Sequence, residues 1–241
     1  MKTLLTIIAL SVGMSAQITK VQTTPSCTFN GAPPWVCTWT GTPVVGHLLH
    51  ITADMNSANC TTLTPTCQDN NSNAYTMIQC ADNSGQTIVD FYLAAPSGST
   101  SVSCTSSGGA QQATILGEEW ADLATSMPVD QTAFLAFFPC IPPATLPSIT
   151  TTNADDLVIG SATSRGGNHG AWTAGSGYTL IGTLTDPTNN FSVGSEYQIV
   201  TMTSTYIPTM GCPGGSSLGN TFALEKATNT VRRNTYVINS Q

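Results

Sequence analysis

Residues 153–205 set the terms for the rest of the chain. The stretch holds three short alternating segments, at 157–162, 178–184 and 196–203. Clusters of Gly, Asn, Pro and Asp separate them, the signature of consecutive antiparallel strands. No catalytic or cofactor motif occurs in it.

The same grammar extends in both directions. Segments 17–24, 35–40, 44–52, 74–80, 87–93, 101–104, 113–120, 220–226 and 228–239 alternate or are rich in β-branched and aromatic residues, with turn residues between them. The turn PSGST at 96–100 is expected to join its flanking strands as a hairpin. The expected fold class is therefore all-β: an antiparallel β-sandwich, filled as a single domain by residues 17–241 with an extra C-terminal strand. We find no internal repeat, coiled coil or low-complexity linker in the sequence. One segment is odd. AFLAFFPCIPPATLP (133–147) is apolar and then Pro-rich, so it cannot pair as a central strand. Burial beneath a loop is the favoured reading, and an exposed strip promoting self-association is the alternative.

The chain begins MKTLLTIIALSVGMSAQ, with Lys2 as its only charge there, an apolar run over residues 4–12 and small residues after it. This reads as a secretory signal peptide covering 1–16, since the run is shorter than the roughly 20 residues a spanning helix needs. No later stretch is long enough to span, so the expected product is exported, with no membrane span in the mature chain. There are 13 carboxylates against 6 Lys and Arg. A nucleic-acid partner is excluded for want of phosphate-neutralising cations, and a polybasic membrane site for the same reason.

Eight cysteines follow the leader: Cys27, Cys37, Cys60, Cys67, Cys80, Cys104, Cys140 and Cys212. An even count behind a signal peptide, without CxxC pairs, reads as disulfides rather than metal thiolates. Eight cysteines allow 105 pairings. The sequential one, Cys27–Cys37, Cys60–Cys67, Cys80–Cys104 and Cys140–Cys212, is the expectation taken forward.

Several motifs then suggest a family. D…NYT (Asp69, 73–76) and an aromatic strand leading to an S/T-V-S strand come first, followed by EW-x-D (119–122) and TTxADDLVIG (151–160). AGSGYTL (174–180) and EYQIV (196–200) complete the order. Over about residues 43–226 the chain resembles secreted, single-domain bacterial jelly-roll proteins of unassigned function. The resemblance implies a jelly-roll winding and a lectin-like or adhesive role. The chain departs from that pattern in its eight cysteines, in the apolar segment 133–147 where a Ser/Gly-rich linker is expected, and in the strand after Lys226.

Four constellations carry candidate chemistry. In GEEWAD, Glu118 and Glu119 are candidate catalytic carboxylates for glycoside hydrolysis. On a strand they face opposite ways, so a partner must come from elsewhere, Asp90 or Glu196. The loop RGGNHGAW offers Arg165, Asn168 and His169 to sugar hydroxyls and Trp172 as a stacking ring. Among the oxygen-rich turns, Asp155 and Asp156 are candidate calcium ligands, calcium being the only cofactor the residues suggest. Histidines 47 and 50 would point opposite ways in a strand and make no zinc pair. Sequons begin at Asn59, Asn70 and Asn190.

The expected function is that of a secreted binding or adhesion module recognising an extracellular glycan or surface polymer through strand-end loops. A self-assembling surface protein is the first alternative and an extracellular glycoside hydrolase the second.

Overall fold

The structure, a computed structural model, describes residues 17–23, 26–56, 59–62, 65–83, 85–107, 112–166, 170–186 and 190–228. The leader, and all but the first residue of the strand expected at 228–239, lie outside them. Every helix or strand described is a strand. In chain order they are β1 (Thr19–Thr23), β2 (Cys27–Asn30), β3 (Trp35–Thr38), β4 (Leu48–Asn56), β5 (Pro65–Asp69) and β6 (Thr76–Asn83). Next come β7 (Gln86–Ala94), β8 (Ser101–Ser106), β9 (Gln112–Ala121), β10 (Val129–Pro139), β11 (Ala144–Thr145) and β12 (Ile149–Thr150). The last are β13 (Leu157–Arg165), β14 (Thr179–Asp186), β15 (Phe191–Ile199), β16 (Thr205–Tyr206), β17 (Thr209–Met210) and β18 (Ser216–Leu224).

Two antiparallel sheets stack face to face. The first runs β1-β9-β4-β7-β6, with β2 also paired to β9; the second runs β10-β18-β13-β15-β14. The small sheet β3-β8-β5 covers the outer face of the first, and the ribbons β11-β17 and β12-β16 cover the outer face of the second. The large strands are thus buried on both sides, and β4, β9, β13 and β18 are buried almost end to end. Alternation here separates two kinds of interior, not interior from solvent. Leu49, Ile51, Ala53 and Met55 of β4 pack on Trp35, Trp39, Val102 and the small sheet. The opposite face of β4, carrying Leu48, His50, Thr52 and Asp54, meets the second sheet.

The two halves of the chain repeat one topology. The order β9-β4-β7-β6 in the first half recurs as β18-β13-β15-β14 in the second. The register agrees in detail. Thr76 opposes Tyr92 and a bulge follows at Ile78; Thr179 opposes Tyr197 and a bulge follows at Ile181. The edge bulges match as well, lying between Lys20 and Gln22 on β1 and between Val129 and Gln131 on β10. Strand β6 lies over β10 and β18 as β14 lies over β2 and β9, so the halves are related by an approximate two-fold axis. The sequence reading of no internal repeat is corrected by this geometry. The two large sheets divide by half, the first built from strands up to Ala121 and the second from strands from Val129 onward. Within the first half the chain passes back and forth between its large sheet (order β2-β9-β4-β7) and the small sheet β3-β8-β5.

Other boundaries move for local reasons. Residues 44–47 form a turn, not the start of β4, because Gly46 takes a left-handed φ of 87°. The third segment of the opening stretch begins at Phe191 and ends at Ile199, ahead of the expected 196–203. The hairpin expected at 96–100 is instead a crossover, because β8 leaves the first large sheet and pairs with β3 and β5. The segment 133–147 divides. Phe138, Cys140, Ala144 and Leu146 are buried, but Phe134, Leu135, Phe137 and Ile141 are exposed.

Four disulfides staple the layers, Cys27–Cys37, Cys60–Cys80, Cys67–Cys104 and Cys140–Cys212. The sequential expectation holds for the first and last and fails for the middle two. Cys67 and Cys104 are directly opposed across β5 and β8 with Cα atoms 4.1 Å apart. Cys60 is left to reach Cys80 on β6, and its N–H donates to Asp82 there. Cys140–Cys212, bridging a separation of 72 residues, removes the most unfolded-chain entropy, about 4 kcal/mol.

Candidate functional site

The carboxylates of GEEWAD alternate as a strand requires. Glu118 points into the interface between the two large sheets and Glu119 to the opposite face. Glu119 is buried and fully engaged. It accepts from Val44 N at 2.8 Å, His47 Nδ1 at 2.6 Å and Gln22 Nε2 at 2.5 Å.

Glu118 belongs to a network that spans both halves. His50 donates from Nδ1 to Glu118 at 2.5 Å and from Nε2 to Asp90 at 3.1 Å. Asp90 also accepts from Thr52 at 2.6 Å and, across the interface, from Ser161 and Asn220, both at 2.7 Å. Burial alone would push the imidazolium towards losing its proton. The two carboxylates more than reverse this and raise its pKa to about 10, so the ring is a buried cation. Ser161 donates to Asp90 and not to the imidazole, so the group is no nucleophile–base pair. Every member is sealed from solvent, and no glycosidic bond can reach them. The other partner considered, Glu196, lies on the far face of β15, where Gly175 N donates to it at 2.7 Å. Burial raises its pKa to about 7. The network ties sheets together; it does not form a cleft.

The loop RGGNHGAW is also reassigned in part. Trp172 is only 1% exposed, its Nε1 donates to Ser192, and it fills space left by Gly194, where a Cβ would lie 2.5 Å from the Trp172 side chain. Its ring therefore offers no face to a sugar, correcting the stacking role expected of it. Arg165 reaches the opposite half, donating to Gly85 O at 3.2 Å. Asn168 and His169 lie outside the described residues.

Asp155 and Asp156 part company. Asp155 adopts φ 64° and is half-exposed, with Lys226 Nζ at 3.7 Å. Asp156 is fully buried and neither carboxylate oxygen has a donor. It faces Asp130 of β10, whose oxygens accept from the N–H and hydroxyl of Thr152. Burial first, then Asp130 and the nearby Glu225 and Asp155, push Asp156 up to about 8. Among the described residues no three His, Cys, Asp or Glu side chains converge as a metal-binding group.

Two surfaces remain open. A shallow groove on the small sheet is lined by Pro34, Thr66, Gln68, Ala74, Ser103 and Thr105. The larger feature is the edge of the second sheet. Strand β10 pairs with β18 on one side and with no described strand on the other. It runs 11 residues, carries no charge after Asp130, and exposes Phe134 (54%), Leu135 (37%) and Phe137 (57%). Ile141 just beyond is 67% exposed. The equivalent edge of the first half is divided between β1 and β2 and carries Lys20, the kind of short, charged edge that discourages pairing. Among the described residues the second half has no such protection.

No family model, curated protein or solved structure matches this chain.

Proposed function

We propose that this protein is an exported, non-catalytic module that works by association, joining copies of itself through the free edge of β10 in an extracellular assembly. The unprotected apolar edge carries this reading, because long, flat, hydrophobic edges are templates for strand addition. Four disulfides support an oxidising compartment. The occupant is a second copy: an antiparallel pairing centred on Leu135 keeps the two Asp130 side chains at opposite ends and sets Phe134 diagonal to its own copy across the seam. Sedimentation of the purified mature protein tests it. The expected result is a concentration-dependent dimer or polymer that Leu135→Lys with Phe137→Lys converts to monomer. A monomer at millimolar concentration removes the reading.

A second reading rests on the small-sheet groove. Its hydroxyl and amide lining, Thr66, Gln68, Ser103 and Thr105, suits a polyhydroxylated ligand such as a glycan. A glycan array probed with wild type and Gln68→Ala decides it, binding lost in the variant being the expected outcome and an unchanged profile the contrary one.

A further inference from the structure

One short stretch of chain joins the two halves, and no disulfide crosses between them. Every pairing between named strands lies within one half: β1 to β9 pair among themselves, and so do β10 to β18. The disulfides obey the same division, with Cys140–Cys212 inside the second half and the others inside the first. Side-chain contact is what holds half to half. Asp90 accepts from Ser161 and Asn220, Asp54 accepts from Thr163, and Leu48 and Trp120 pack with Leu157, Phe222 and Leu224. The connection itself doubles back tightly. Ala124 N donates to Glu225 O at 2.9 Å and Glu225 N donates to Pro128 O at 2.7 Å, so residues 125–127 form a turn around Glu225. All of them are exposed, Met127 at 83%, and Met127 takes a left-handed φ of 48° that a side chain resists.

We propose that the halves exchange between copies: residues 125–127 straighten, and the first half of each chain docks on the second half of its partner, giving a two-fold dimer. The partner is a second copy because the exchanged interface repeats the one inside the monomer, contact for contact, and needs no new complementarity. Opening the turn releases Met127 from its left-handed backbone, and short hinges under strain favour exchange. Proximity opposes it. A short tether keeps the halves at an effective concentration on the order of millimolar, so the closed monomer wins in dilute solution and the dimer forms where chains fold crowded together. Interconversion afterwards is slow, because the halves must part and expose the buried His50 face of β4 to water. The exchanged dimer carries two free β10 edges. Edge pairing alone closes at two copies, and with exchange it extends into a chain. That extension rests on the edge reading above; the exchange does not.

The experiment refolds the mature protein from guanidinium with its disulfides intact, at protein concentrations rising towards millimolar, and sizes the product after dilution. Leu135→Lys with Phe137→Lys is present throughout, so edge pairing does not contribute. The expected product is a dimer whose yield grows with refolding concentration and which persists on dilution. Ser126→Lys then adds an exposed cleavage point for a lysine-specific protease. Cutting the hinge should turn the dimer into monomer-sized particles, each holding the first half of one chain on the second half of another. Met127→Gly, which suits the left-handed backbone of the turn, should lower the dimer yield several-fold. No dimer surviving dilution at any refolding concentration overturns the proposal. So does a dimer that keeps its size after complete hinge cleavage, or a yield that Met127→Gly leaves unchanged. Failure of the edge reading looks different: protein without the two lysine substitutions, folded in dilute solution, then stays monomeric when concentrated, whatever the refolding result.

Discussion

At the level of single residues, the decisive group is His50. It is a cation in a sealed interface, and two carboxylates depend on it. His50→Gln leaves Glu118 and Asp90 without their counter-charge and should cost about 3–5 kcal/mol in chemical denaturation, the usual result of removing one member of a buried ionic group. A loss below about 1 kcal/mol would mean the charge contributes little, as surface pairs do. Gly194→Ala is the corresponding steric test. Its new methyl meets Trp172, and a loss of about 1–3 kcal/mol is expected from overpacking. The opposite facing of Glu118 and Glu119 was readable from strand periodicity. Their partners were not: His50 and Asp90 are 40 residues apart in sequence and meet through the pairing of β4 with β7, and Asp90 and Asn220 are 130 apart and meet through sheet stacking. The polar residues of β4 and β9 also misled, because alternation normally separates core from solvent, and here a second sheet occupies the solvent side.

Strands and their connections follow a similar division. The period-two segments located β13 and β14 closely, because their flanking turns are rich in Gly and Asn. The disulfide pairing was only half legible, since cross-strand opposition depends on which sheet a strand joins. Cys67 and Cys104 are neighbours only because β8 crosses to the small sheet. Peptide mapping of the unreduced protein should recover Cys60–Cys80 and Cys67–Cys104, and recovery of Cys60–Cys67 would contradict the arrangement of β5 and β8. Strand β10 poses its own test. Leu135→Lys with Phe137→Lys changes exposed positions, so stability should move by no more than about 1 kcal/mol while association disappears. The repeat leaves only a slight trace in sequence: YTMI at 75–78 and YTLI at 178–181 agree at three of four equivalent positions, while most other equivalent pairs differ.

Taken whole, the molecule should be more stable in acid than in alkali. His50 has a folded pKa of about 10 against 6.5, so its contribution is complete below pH 6.5 and is lost as pH rises through 10. Asp54 and Glu196, each raised by burial to about 7, favour the protonated form, so their ionisation increasingly opposes folding between about pH 4 and 7. The three act in one direction. Thermal unfolding from pH 4 to 10 should show Tm declining, and a Tm climbing across that span would contradict the assignment of protons. The halves should also be interdependent. Residues 17–121 alone would expose the His50 face of β4, and residues 129–228 alone the Ser161 face of β13, so neither fragment is expected to give a cooperative melt by itself.

The approximate two-fold axis has a consequence for how such a chain can vary. Were two identical chains to meet this way, any ionisable group near the axis would confront its own copy, and a lone imidazolium held by neutral groups from the other side would be out of reach. Covalent linkage of the halves lifts that restriction. One lobe contributes the ions, His50, Glu118 and Asp90, and the other answers with the neutral Ser161 and Asn220. Tandem connection turns a surface obliged to be its own mirror into one whose sides can specialise, and a substitution on either side is felt once instead of twice.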